Sequence, residues 1–221
     1  MENSESLISR RPSYVIFDLG NVLVHIHPAA FLQSLGIDTP ENRSYYQKRV
    51  VEIAKLYERG DDSTDQFFAN LDGLFNGNRD TTRHDHGLTR AFTPDDFRTA
   101  MLSVIGQPVD GMEALVRRLA PKVPLGLLSN TNPIHFDLCR RTLPVLRYIP
   151  SYFLSYQLKA FKPDIRFFER VSEILKLNPG EILYIDDLME NVDSARAFGF
   201  TAYHFEGPEM LERRLNELQL I

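Results

Sequence analysis

Apolar residues along this chain fall into two rhythms. The first is a short unbroken run of aliphatic, aromatic and β-branched residues that stops at a polar one: Tyr14-Val-Ile-Phe-Asp18, Leu125-Gly-Leu-Leu-Ser129 and Ile182-Leu-Tyr-Ile-Asp186. Each run is followed by polar or turn-forming residues, namely Leu19-Gly20-Asn21, Asn130-Thr131-Asn132 and Asp187. This predicts three buried strands that each end in a polar loop. The second rhythm has helical spacing and covers 112–119, 165–177, 191–198 and 210–220. Shorter runs at 152–155 and 201–205 complete the strand candidates. Alternation of strand and helix from about residue 110 onward predicts a parallel sheet built from right-handed β-α-β crossovers. Ligands bind such sheets at the carboxyl ends of the strands, where Asp18, Ser129, Asp186 and Asp187 lie.

The first strand is separated from the rest of this pattern by roughly 80 residues, too many for a loop. They carry helical stretches at 29–35, 45–59 and 64–75, and Thr93-Pro94-Asp95-Asp96 supplies an N-cap, a proline at the first helical position and early acids for one more helix. Residues 76–90, rich in Gly, Asn, Asp, Thr and His, read as an irregular connection. The Arg83-His84-Asp85-His86 cluster within it reads as a solvated loop, because its spacing matches no metal motif.

Composition narrows the partners. The chain has 221 residues, a formal net charge of -5 and a single cysteine, Cys139. The acidic balance provides no field for nucleic acid or an anionic membrane. One cysteine forms no intrachain disulfide and points to a reducing, cytoplasmic setting, with Cys139 itself a packed residue on a helix. No apolar stretch reaches the roughly 18 residues that span a bilayer. Residues 1–12 are polar and read as a short mobile tail.

Carboxylates gathered at strand ends repel one another unless a cation offsets them. Asp18, Asp186 and Asp187 would form such a group if their strands are neighbours, and hard oxygen ligands with open positions suit Mg²⁺. Asp18 then has a second use as a nucleophile toward phosphorus. Phosphoryl transfer also needs donors and fixed positive charge. Ser129 and the backbone N–H of Asn130 are candidates for the first, and Lys162 for the second, with Pro163 expected to open the helix that follows. Taken singly, Asp18 is a turn residue and Asp186-Asp187 a helix-capping pair.

In order, these four elements resemble the four motifs of the haloacid dehalogenase superfamily. Phe17-Asp-Leu-Gly-Asn-Val-Leu23, Tyr57-Glu-Arg-Gly60, Leu128-Ser-Asn-Thr-Asn132 and Ile185-Asp-Asp187 with Glu190-Asn191 resemble the subgroup of α-D-glucose-1-phosphate phosphatases and the phosphatase domains of soluble epoxide hydrolases. The resemblance implies a Rossmann-like three-layer α/β core from residues 1–27 and 101–221, with an α-helical cap inserted at 28–100. It implies a Mg²⁺-dependent phosphatase acting on a small phosphomonoester, with a sugar phosphate as the expected class, through an aspartyl phosphate on Asp18. It also implies Mg²⁺ ligation by Asp18, the backbone carbonyl of Gly20 and Asp187, with Asp186 acting less directly. Ser129, Asn130 and Lys162 are implied as the phosphate contacts.

The departure is Gly20, which stands where most phosphatases of the superfamily carry an acid-base Asp. His25 and His27, in Val24-His-Ile-His-Pro28, are candidates to replace it, although hinge or surface histidines are the simpler reading. Two rivals follow: a haloacid dehalogenase, against which Asp186-Asp187 argues, and a regulatory phosphate-binding protein with weak turnover, which Gly20 favours.

Overall fold

A computed structural model describes residues 11–77 and 90–221. Nearly all of the expected amino-terminal tail and the whole Arg83 to His86 cluster lie outside the described residues. In chain order the elements are β1 (Tyr14–Phe17), β2 (Val24–Ile26), α1 (Ala30–Ser34), α2 (Pro40–Arg59), α3 (Thr64–Phe75), α4 (Pro94–Leu102), β3 (Ile105–Pro108), α5 (Met112–Leu119) and β4 (Leu125–Ser129). They continue with α6 (Pro133–Thr142), β5 (Ser151–Leu154), α7 (Ser155–Leu158), α8 (Ile165–Leu175), β6 (Ile182–Asp186), α9 (Met189–Phe198), β7 (Thr201–His204) and α10 (Pro208–Glu217).

Five parallel strands form one sheet in the order β5-β4-β1-β6-β7. The two-residue period of the strands sorts their side chains between two cores. Val15, Phe17, Leu125, Leu127, Leu183 and Ile185 face the layer of α5, α6 and α10, where Leu115, Cys139 and Leu215 are buried. Tyr14, Ile16, Leu128, Ile182 and Tyr184 face α8 and α9, where Phe167, Phe168 and Val192 are buried. The result is the expected three-layer α/β fold. Burial pushes the Cys139 thiol up to about 12, so it packs as an apolar side chain.

Helices α1–α4 have an apolar cluster of their own, centred on Tyr57, Phe67, Leu71, Phe75 and Phe97 and joined from the sheet side by Ile134. Tyr57 stacks on Phe67 at 4.4 Å, and Tyr46 stacks on Phe75 at 4.8 Å. The anticipated N-terminus of α4 is present as a capping box between Thr93 and Asp96.

Two local expectations need correction, and one helix gains its bounds. Helix α2 starts at Pro40, five residues before the apolar period begins, because Thr39 caps it and Pro40 takes the first position, as at Thr93-Pro94. Helix α6 carries Cys139 as expected, and its start, which the apolar pattern leaves open, lies where Asn132 caps it and Pro133 opens it in the same way. Pro163 does not open α8: Asp164 is the N-cap, accepting from the Arg166 N–H at 3.0 Å, and Lys162–Pro163 is a cis peptide. An unpredicted antiparallel pair, β2 with β3, joins the two ends of the helical segment. These strands are too short and too irregular to leave a periodic signal.

Candidate active site

Strand register brings the separate motifs together. Phe17 lies level with Ile185 on one side and Leu127 on the other, so Asp18 emerges between the ends of β6 and β4. Asp18, Asp186 and Asp187 each place a carboxylate oxygen within 4.8 Å of the others.

Lys162 sits inside this group. Its Nζ lies 2.7 Å from Asp18 Oδ1 and 2.7 Å from Asp186 Oδ2, and donates to the Leu128 carbonyl at 3.2 Å. The loop carrying it is clamped by the Asn130 carboxamide, whose Nδ2 donates to Lys162 O and whose Oδ1 accepts from Lys162 N, both at 2.9 Å. That clamp, rather than a helix opened by Pro163, positions the ammonium. The Asn130 side chain is therefore used structurally, leaving its backbone N–H as the candidate donor already named. Ser129 is buried beside it, its hydroxyl making, among the described residues, only a long contact of 3.4 Å to the Asn130 carbonyl.

The paired acids have different surroundings. Asp186 is fully buried and both of its oxygens are taken: Oδ1 accepts from the Leu188 N–H at 2.8 Å and from Asn191 at 2.9 Å, while Oδ2 accepts from Lys162, Asn191 and the Tyr184 hydroxyl. Asp187 is part-exposed, and its carboxylate accepts only one hydrogen bond among the described residues, from Asn21 Nδ2 at 3.0 Å. Its other oxygen is free to ligate. Asn21 is held in turn by the Ile26 N–H at 3.2 Å.

Charge follows from this geometry. Burial raises Asp18 to about 7, the Lys162 ammonium pulling it down and Asp186 pushing it further up. For Asp186, burial also favours the neutral acid, but Lys162, Tyr184 and Asn191 outweigh it and hold the group below the ordinary carboxylate range. Burial opposes the charge of Lys162, yet two carboxylates keep its pKa above the usual lysine value. Once all three acids ionise, one ammonium leaves two negative charges uncompensated. Oxygen donors with that excess charge fit a hard divalent cation of few protein ligands, the profile of Mg²⁺.

Above the strand ends is a cavity of about 400 Å³. Asp18, Gly20, Ser129, Asn130, Lys162 and Asp187 form its floor, and α2 supplies Val50, Val51, Ala54, Lys55 and Glu58 on one helical face. Gly20 lies in the floor as expected. His25 and His27 do not line the cavity: the alternation of β2 turns Val24 and Ile26 toward it and leaves both histidines exposed. His135, from α6, does line it, but both ring nitrogens are occupied. Nε2 donates to Met101 O at 2.8 Å and Nδ1 accepts from Asn132 at 2.9 Å, while burial pushes its pKa down to about 4.

Sequence reasoning passed over Asn21, Tyr184, Asn191, Ser155 and the side chain of Glu58. Asn21 and Asn191 stood within the quoted motifs, three and five residues after Asp18 and Asp186, and spacing alone marked them as neighbours. Nothing local marked Tyr184 or Ser155.

Comparison with known proteins points to one family. A family model described as haloacid dehalogenase-like hydrolase matches residues 13–199. A HAD family enzyme of Bacteroides thetaiotaomicron, crystallised with magnesium and inorganic phosphate, superposes with a TM-score of 0.74 at 21% identity, over 89% of this chain and 95% of that one. A predicted HAD-like family hydrolase of Porphyromonas gingivalis gives 0.75 at 23% identity, over 95% and 98%. Flavin mononucleotide hydrolase 1 of Arabidopsis thaliana is 30% identical over 111 residues, which is 50% of this chain and 45% of that relative. With most of its length matched and the motif residues assembled at one sheet edge, the chain belongs to the haloacid dehalogenase-like hydrolase family.

Proposed function

We propose that this hydrolase is a Mg²⁺-dependent phosphatase that cleaves a small phosphomonoester through an aspartyl phosphate on Asp18. The observation that carries the reading is the buried Lys162 bridging Asp18 and Asp186 beside the incompletely bonded Asp187. Asp18, Asp187 and the Gly20 carbonyl would hold the metal, which supplies Lewis-acid stabilisation of phosphoryl charge when bound. Asp186 contributes by holding Lys162. Ser129 Oγ, the Asn130 backbone N–H and the Lys162 ammonium donate to the phosphoryl oxygens while Asp18 attacks phosphorus. Residues 28–100 act as a cap whose α2 face forms the far wall of the cavity. The setting proposed is the cytoplasm.

Motif similarity suggests a sugar phosphate. The walls favour, within the same class, an ester with an apolar or aromatic leaving group, because Val24, Ile26, Phe31, Val50, Met101 and Val104 offer no partners to sugar hydroxyls. Flavin mononucleotide, named for the Arabidopsis relative, carries an aromatic ring of this kind beyond a hydroxylated ribityl chain. Phosphate release should be measured over sugar phosphates, flavin mononucleotide and pyridoxal phosphate, with Mg²⁺ and with chelator. We expect release only with Mg²⁺ and higher kcat/KM for the aromatic esters. Higher kcat/KM for sugar phosphates restores the first class. Chloride release from a haloacid in chelator replaces both with dehalogenation, and ligand binding without release leaves a regulatory protein.

Metal binding has its own readout. Mg²⁺ at 100 times its Kd should stabilise the native state by about 2.7 kcal/mol, seen as a rise in Tm. Asp187→Asn should remove most of that rise while leaving the metal-free Tm nearly unchanged, since the Asp187 carboxylate has only one hydrogen bond among the described residues to lose.

A further inference from the structure

Among the described residues, the floor of the cavity holds no carboxyl or imidazole beyond Asp18 and the proposed metal ligand Asp187 to pass a proton to the departing oxygen. Gly20 has no side chain, and a Cβ built there would lie 3.2 Å from Ile26 Cδ1, so a side chain at that position would press on Ile26. His25 and His27 face away, and His135 has both nitrogens engaged. Among the described titratable residues lining the cavity, removing those of the floor and His135 leaves Lys55 and Glu58.

Glu58 is held in place from three directions. Its backbone carbonyl accepts from Ser155 Oγ at 2.5 Å, and the same Oγ accepts from the Thr131 N–H at 3.0 Å, two residues beyond Ser129. Tyr57 beside it is buried, stacked on Phe67 and bonded to Thr64 at 2.9 Å. Gly60 ends α2 at φ +74° against the Tyr156 carbonyl, where a Cβ would come within 2.3 Å. The Glu58 carboxyl, by contrast, has no hydrogen bond or ion pair among the described residues. A part-buried carboxyl, fixed in its backbone and free at its tip, suits proton transfer.

We propose that Glu58, reaching across from α2, is the acid-base group of this enzyme, standing in for the carboxylate that Gly20 lacks. The proposal rests on the phosphatase reading of the same site. As Asp18 Oδ bonds to phosphorus and the ester P–O bond breaks, protonated Glu58 gives its proton to the leaving oxygen, releasing the alcohol. The resulting carboxylate then takes a proton from water as that water attacks the aspartyl phosphate. The P–O bond to Asp18 breaks, phosphate leaves, and both carboxyls return to their starting states. Burial raises Glu58 to about 7, with Lys55 drawing it down, so both protonation forms are accessible near neutrality.

The test is Glu58→Gln in the full chain with Mg²⁺, assayed on an alkyl phosphomonoester and on p-nitrophenyl phosphate, whose phenolate leaves without a proton. For the alkyl ester kcat should fall by about 10² to 10⁴. The aryl ester should give a burst of p-nitrophenolate stoichiometric with enzyme, followed by slow turnover, because water attack lacks its base. Glu58→Ala should behave likewise and regain activity with added formate, and both variants should keep the wild-type Tm shift with Mg²⁺. Undiminished kcat in Glu58→Gln, or equal loss on both esters with no burst and no formate rescue, overturns the role of Glu58 while Asp18→Asn remains inactive. Turnover that survives in Asp18→Asn overturns the underlying phosphatase reading instead.

Discussion

Asp18→Asn should abolish phosphate release, lowering kcat by on the order of 10⁴ or more, the scale on which loss of a nucleophile is felt. The amide has no anionic oxygen for phosphorus and offers the metal a weaker ligand. It also fits the space Asp18 leaves, so the loss belongs to chemistry and not to folding. Stability should in fact hold or improve in metal-free protein. A carboxyl whose native value is raised from 3.8 to about 7 binds more protons folded than unfolded over that interval. Its contribution is therefore present below the unfolded value and lost as pH rises through the folded one. Asn removes that loss, so the variant should gain on the wild type between about pH 4 and 7. Chemical denaturation across this range in chelator checks the sign. A variant that releases phosphate at the wild-type rate ends the nucleophile assignment.

Lys162→Met should be the most destabilising single change at the site. It leaves Asp18 and Asp186 buried at one strand edge with no ammonium between them. Removing one partner of a buried ion pair costs about 3 to 5 kcal/mol, because the remaining charge stays desolvated. Asp186 keeps Asn191, Tyr184 and the Leu188 N–H, so the cost falls mainly on Asp18, which has fewer donors. Mg²⁺ should recover part of the loss, making the metal-induced rise in Tm larger in the variant than in wild type. Turnover should fall as well, since the phosphoryl oxygens lose their fixed cation. Urea denaturation with and without Mg²⁺ measures both effects; an unchanged midpoint contradicts the buried-bridge account.

Much of this site was legible because strand ends are local events. Asp18, Ser129 and Asp186 each stop an apolar run, and parallel sheets bring the carboxyl ends of their strands to one edge whatever lies between them. The three-layer core was legible for the same reason, since period-two and helical spacing name the buried face of each element. Capping chemistry read correctly at Thr93 and was equally readable at Asn132 and at Thr39, where the first helical turn, Pro40-Glu-Asn-Arg-Ser44, is too polar to register by periodicity. Strands β2 and β3 escaped notice because Val24-His-Ile26 and Ile105-Gly-Gln-Pro108 offer neither an unbroken apolar run nor enough alternation to establish a period.

By itself, the order of residues determined which groups reach the carboxyl edge of the sheet and that position 20 brings no acid. Tertiary structure alone decided how those groups divide the work. Asp186 and Asp187 are adjacent and chemically identical, and only the donors packed around each make one a brace for Lys162 and leave the other an open oxygen. The same holds for the two turns of Asn130 chemistry, its side chain clamping a loop 32 residues away, and for Glu58, which α2 delivers to the cavity through contacts with Ser155 and Tyr156. Burial, pairing and pKa are set by neighbours distant in the chain, and those neighbours exist only once it has folded.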